Sequence, residues 1–246
     1  MSTWLRRFHE SPAAVVRLMC FPHAGGSASY FFPLSKRLSP GIDVLGVQYP
    51  GRQDRYREPR IEDLGELADR VHEAVAEVTD LPVAFFGHSL GATLAFEVTR
   101  RMARPPLVLF ASARRAPSRQ RPPSEYVHVL DDDGVVEEVL RLSGGENTML
   151  ADDELRALFL PTLRSDYRAV ETYRPDPPDA AVACPIVAVT GDADPMTPVD
   201  IAALWRAHTT GDFTLKVFPG GHFYLEQHGD DLGRLIAETL TAAVVG

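Results

Sequence analysis

Short β-branched or apolar runs recur along the chain at Ala14–Phe21, Ile42–Gln48, Val83–Gly87, Leu107–Ser112, Ile186–Gly191 and Phe213–Phe218. Stretches with apolar residues three to four apart fall between them, at Ser29–Leu38, Ile61–Val78, Gly91–Ala103, Pro198–His208 and Asp230–Val244. The first spacing suits strands and the second suits helices. Their alternation predicts an α/β fold, a mostly parallel sheet with helices on both faces, because parallel strands need a crossover on one face or the other. Ligands of such sheets bind beyond the carboxyl ends of the strands, so the loops after strands are where chemistry is to be sought.

One connection departs from the alternation. A parallel crossover needs only about a dozen residues, yet the interval from Ala113 to Ala183 carries helical patterns of its own at Asp131–Leu142 and Asp152–Tyr173. The second contains Pro161 and is expected to be interrupted there. Proline-rich stretches bound the interval, which reads as an inserted helical lid at about 113–183 within a single domain spanning 1–246. The plainer alternative is a pair of helices packed on the sheet with no gating role.

A chain of 246 residues buries roughly 70–75% of its unfolded surface and needs no disulfide for stability. Cys20 and Cys184 sit beside apolar runs and read as two buried thiols. The net charge of −9 argues against a nucleic-acid binder. No uninterrupted apolar run approaches the ~18–20 residues of a membrane span. The amino-terminal segment forms no signal-peptide core, which makes the cytoplasm the default location.

The sharpest local signal is Gly87-His88-Ser89-Leu90-Gly91, between a strand pattern and a helical one. A serine on such a turn is held in a strained backbone with its hydroxyl clear of the sheet, and glycines on either side leave room for the turn. The Leu90 amide, at the helix start, faces the place where a substrate oxyanion would form. Serine is a weak nucleophile until a base takes its proton. His222, in Pro219-Gly220-Gly221-His222-Phe223 just past a late strand, meets that need. His208 and His228 read as solvated, and His88 as pointing elsewhere. A carboxylate must hold the imidazole, and Asp192 and Asp194 both follow the strand Ile186–Thr190; the order Ser, Asp, His suits either. A second oxyanion donor is expected from Phe21-Pro22-His23-Ala24-Gly25-Gly26-Ser27. Neither phosphate-binding glycine motifs nor metal-ligand spacings occur, so no cofactor and no metal are expected.

Taken in order, Phe21–Ser27, Gln48-Tyr49-Pro50-Gly51-Arg52, Phe86–Ala92, Leu160–Asp166, Gly191–Pro195 and Gly220–Phe223 resemble the stand-alone type II thioesterases of polyketide and nonribosomal peptide assembly lines. The resemblance spans nearly the whole chain. It implies an α/β-hydrolase fold with a helical lid, and hydrolysis of acyl thioesters on the phosphopantetheine arm of carrier domains. It also implies Asp194 as the triad acid and the amides of Ala24 and Leu90 as the oxyanion hole. The partners it implies are acyl-loaded acyl carrier or peptidyl carrier domains.

Carrier domains are typically acidic, so the arginines Arg114, Arg115, Arg119 and Arg121 are candidates for docking them, ahead of Arg52, Arg55 and Arg57. Phe159, Tyr167 and Tyr173 are candidates for lining an acyl channel. The competing readings are a product-releasing thioesterase, a small-molecule esterase and, from another class, a non-catalytic carrier-binding protein.

Overall fold

The computed structural model describes residues 2–145 and 152–245. Seven strands form one sheet: β1 (Leu5–Arg7), β2 (Arg17–Phe21), β3 (Asp43–Val47), β4 (Val83–His88), β5 (Leu109–Ser112), β6 (Ile186–Gly191) and β7 (Phe213–Phe218). Their order is β1-β3-β2-β4-β5-β6-β7, with β1 antiparallel to β3 and every other pair parallel. The six expected strands are present. β1 was not expected, because its three residues include Arg6 and Arg7; Arg7 forms two bonds to Asp43, at 2.8 and 2.9 Å, and so its charge is matched beside the sheet.

Alternate residues of the central strands enter two cores, as a pleat with period two requires. Met19, Phe21 and Phe85 pack with α2 (Leu64–Ala76) and α3 (Leu90–Arg101), whereas Leu18, Cys20 and Phe86 face α1 (Phe32–Leu38) and α8 (Gly229–Val245). The Asp63 side chain caps α2 by accepting from the Glu66 N–H at 2.8 Å. On α8, Leu232, Ile236 and Leu240 recur every fourth residue and form the buried stripe. The expected helix Pro198–His208 divides into α6 (Val199–Ala203) and a 3₁₀ turn at Leu204–His208. In that tighter turn residues three apart eclipse, which lets Trp205 and His208 both pack against Phe96.

Between β5 and β6 stand α4 (Asp132–Ser143) and α5 (Asp153–Thr172), so the long connection is a helical insertion. Of the expected 113–183 interval, residues 146–151 lie outside the described residues. Helix α5 runs through Pro161 rather than breaking there. Pro161 and Ala157, whose carbonyl loses its partner, are both exposed, so the freed group is open to solvent. Val127, Val135, Leu160, Leu163 and Tyr167 form a separate small core inside the insertion, with Ala24 packed against it.

Candidate active site

Ser89 sits between β4 and α3 with φ 55° and ψ −119°, in the left-handed region that an L residue enters only under constraint. The constraint is local. A Cβ on Gly87 would lie 2.3 Å from the Gly91 carbonyl oxygen, and one on Gly91 would lie 2.0 Å from the carbonyl oxygen of Phe21. Only glycine fits at both positions, and the Ser89 N–H donates to the Ser112 carbonyl at 2.9 Å, which locks the turn. The Ser89 side chain does not cap α3. Leu90 opens α3, where backbone N–H groups have no intrahelical acceptor.

His222 follows β7, and its Nδ1 donates to Asp194 Oδ2 at 2.9 Å, both residues being buried. Asp194 Oδ1 accepts the backbone N–H groups of Met196 (2.8 Å) and Thr197 (3.2 Å), which leaves Oδ2 for the imidazole. That network assigns the proton to Nδ1 and leaves Nε2 as the basic nitrogen. Asp192 turns the other way. It is exposed and accepts the Gly220 N–H at 2.9 Å, so it shapes the loop that carries His222 without touching the ring.

Two further histidines stand behind this pair. The His88 ring lies 5.3 Å from the His222 ring between centroids, and His23 lies 5.8 Å from His88. His88 Nδ1 meets Ser112 Oγ at 2.9 Å, and that oxygen meets the Tyr224 hydroxyl at 2.8 Å. Burial, then the neighbouring His222 and His23, hold His88 well below the usual imidazole range. Burial, then His222 and Arg52, bring His23 down to about 3. Both rings are thereby held neutral. His88 therefore does not point away from the site as its place in the sequence suggests; the sharp turn carries it beneath His222.

The loop after β2 turns at His23–Gly26, closed by the Gly26 N–H to the His23 carbonyl at 2.9 Å, with Gly25 at φ 75°. A cavity of about 620 Å³ opens between this loop and the insertion, with His23, Ala24, Phe159, Leu163, Tyr167 and Phe223 among its walls. Phe159 and Tyr167 line this cavity. Tyr173 does not: its hydroxyl donates to Glu97 at 2.6 Å on the far side of α3.

The arginines need correction. Arg114 is buried, donates to Thr93 Oγ1 at 3.0 Å, and is brought down to about 9 by burial and then by Arg115 and Arg121. Arg115 is half-buried and donates to the Met196 carbonyl at 3.2 Å; Arg121 pairs with Glu138 at 2.7 Å. Arg119 alone of the four is exposed. They form no common rim, because the chain leaving β5 folds into the seam between α3 and the insertion instead of running over the surface. Arg52 and Arg55 are buried too, Arg52 in a two-bond pair with Asp166 at 2.7 and 2.8 Å. His208, expected in solvent, is buried and bonded to the Ala180 carbonyl and to Ser118. Among the described residues no group of three His, Cys, Asp or Glu side chains could hold a metal, and no helix is long and apolar enough to cross a membrane. The residue pair that sequence reasoning missed is Arg52–Asp166, which joins segments 114 positions apart.

A family model described as a thioesterase domain matches residues 16–241. The chain is 51% identical over 240 residues to a probable cadicidin biosynthesis thioesterase of Streptomyces griseus, covering 96% of this chain and 66% of that protein. It is 49% identical over 242 residues to the thioesterase PikA5 of Streptomyces venezuelae, covering 96% and 85%. Among solved structures, the type II thioesterase BorB from the borrelidin biosynthetic cluster superposes with a TM-score of 0.90 at 47% identity, covering 97% of this chain and 98% of that one.

Proposed function

The chain belongs to the thioesterase family, among the type II thioesterases of polyketide and nonribosomal peptide biosynthesis, and from that premise we propose that it hydrolyses acyl thioesters on the phosphopantetheine arm of carrier domains, clearing stalled or aberrant acyl groups. The observation that carries the reading is the His222–Asp194 pair at 2.9 Å, formed by loops after two strands on the carboxyl edge where the Ser89 turn also stands.

Ser89 Oγ attacks the thioester carbonyl while His222 Nε2 takes its proton, and Asp194 stabilises the imidazolium that results. The amides of Ala24 and Leu90 receive the oxyanion. Collapse of the tetrahedral intermediate breaks the carbon–sulfur bond, and the leaving thiolate takes the proton from His222, leaving an acyl-serine. Water then attacks the ester, with His222 again as base, and the second collapse returns the proton to Ser89 and releases the carboxylic acid.

The cavity of about 620 Å³ beside the His23–Gly26 loop has room for an acyl group. Of the candidate docking arginines, Arg57 and Arg119 are exposed, which supports them as the ones that meet an acidic carrier. The test is hydrolysis of acetyl, propionyl and long acyl groups, each on a carrier domain and on free pantetheine. Comparable rates across short chains, faster on the carrier, are expected, and an acyl-serine on Ser89 should be trapped by mass spectrometry. A demand for one long chain would favour product release, and faster turnover of oxygen esters would favour a small-molecule esterase. Binding without turnover would leave only the non-catalytic carrier-binding reading.

A further inference from the structure

We infer that Asp166, carried on α5 of the insertion, is a positioning residue for the oxyanion loop: together with Arg52 it holds the His23–Gly26 turn in the form that presents the Ala24 amide to substrate. The inference rests on the oxyanion role proposed for Ala24.

A four-residue turn with positive φ only at its third residue is of type II, and Gly25 supplies that angle. Two adjacent glycines do nothing to resist a shift of this turn, which carries the Ala24 N–H on its first peptide. Asp166 does resist it. Its Oδ2 accepts the Gly25 N–H at 2.7 Å, a charge-assisted bond. Arg52 grips the next residue, donating to the Gly26 carbonyl at 3.1 Å while it makes its two bonds to Asp166. The turn is thus held at an N–H on one peptide and at a C=O on another.

The same helix supplies the floor. A Cβ on Gly25 would stand 2.6 Å from Leu163 Cδ2, and Thr162 donates to the Gly51 carbonyl at 3.0 Å, beside the residue that bears the guanidinium. A displacement of α5 therefore loosens the hole. The charges matter as well. Asp166 and Arg52 are both buried, and an unneutralised carboxylate beside the hole would oppose the oxyanion; the guanidinium removes that opposition. Asp166 occupies the Gly25 N–H and the Gly26 N–H closes the turn, while the Ala24 N–H finds no acceptor among the described residues.

The experiment compares kcat, KM and affinity for a trifluoromethyl ketone analogue of the acyl-pantetheine thioester, whose serine adduct places an oxyanion in the hole. The variants are Asp166→Asn, the charge-free pair Arg52→Gln/Asp166→Asn, which strands no buried charge, and Ala24→Pro. Proline removes the Ala24 N–H and is favoured at the second position of this turn. Deleting one such donor costs ~10²–10³ in rate, and Ala24→Pro should show that loss in kcat and in ketone affinity alike. Both Asp166 variants should lose about tenfold to a hundredfold in the same two quantities with KM nearly unchanged, a part of the loss from deleting a donor outright. If the Asp166 variants melt at lower temperature but keep kcat and ketone affinity per folded molecule, while Ala24→Pro loses both, Asp166 is only structural and the inference fails alone. If Ala24→Pro keeps both, the oxyanion reading fails and takes the inference with it.

Discussion

The Ser89 turn and the His23–Gly26 turn stand on neighbouring strands, β4 and β2. They are held in place by opposite means. The Ser89 turn is fixed by backbone atoms that crowd Gly87 and Gly91, a steric restraint that is short-ranged and indifferent to charge. The His23–Gly26 turn has two flexible glycines and is fixed by a carboxylate 141 positions away, through hydrogen bonds that require two buried charges to be present together. The Ser89 turn thus depends on the sheet beneath it, whereas the His23–Gly26 turn depends on the insertion being in place.

Four substitutions test that contrast. Ser89→Ala should cost about a millionfold in turnover, by analogy with the loss of other triad nucleophiles, with the fold unchanged by circular dichroism; wild-type turnover in the folded variant would remove the Ser89 turn from the chemistry. Asp194→Asn should cost about ten-thousandfold by favouring the wrong imidazole tautomer, and Asp192→Asn far less, because Asp192 touches only the Gly220 N–H. The reverse order in kcat would transfer the role. Gly91→Ala strikes the seam between the two regions, since its methyl would collide with the Phe21 carbonyl at the start of the oxyanion loop. A loss of at least ~3 kcal/mol is expected in urea unfolding, at the upper end for overpacking. A loss below ~1 kcal/mol would show that the backbone there yields.

The smallest effect concerns pH, and it touches both regions because each carries a neutral histidine. His23 is brought down to about 3 in the folded chain, against ~6.5 when unfolded. Between those values the unfolded chain binds the extra proton, so stability is complete above the unfolded value and is lost as pH falls through it. From pH 7 to pH 5, His23 alone should subtract about 2 kcal/mol. His23→Gln should flatten the urea midpoint over that interval, and an unchanged slope would mean that the ring is already solvated.

Legibility in the sequence follows the same division. The flanking glycines and the strand–helix junction announce Ser89, because the residue types of the turn are contiguous in the chain, although Phe21 and Ser112, which help to hold it, are not. His222 is legible from its loop. Asp192 and Asp194 are not separable from spacing, since the choice is made by the Met196 and Thr197 amides and by the reach of Gly220, which only the folded loops bring close. Arg52 and Arg114 read as candidates for docking a partner because nothing near them in the chain reveals Asp166 or Thr93 as their partners. The strand β1 is hidden for a related reason: its arginines mask an edge strand until Asp43 and Asp54 are seen opposite them.

Cys20 and Cys184 lie buried in the two different cores. Burial pushes the Cys184 thiol up to about 11 and that of Cys20 higher still. Thioester hydrolysis liberates a thiol at every turnover, in solution with an enzyme that carries two thiols of its own. Exchange requires a thiolate that can reach the other sulfur, and neither cysteine offers one. A thioesterase built this way escapes capture by its thiol product as a mixed disulfide when that thiol is oxidised. A disulfide dye added to the native protein should register the released thiol alone, so that one equivalent of colour counts one turnover.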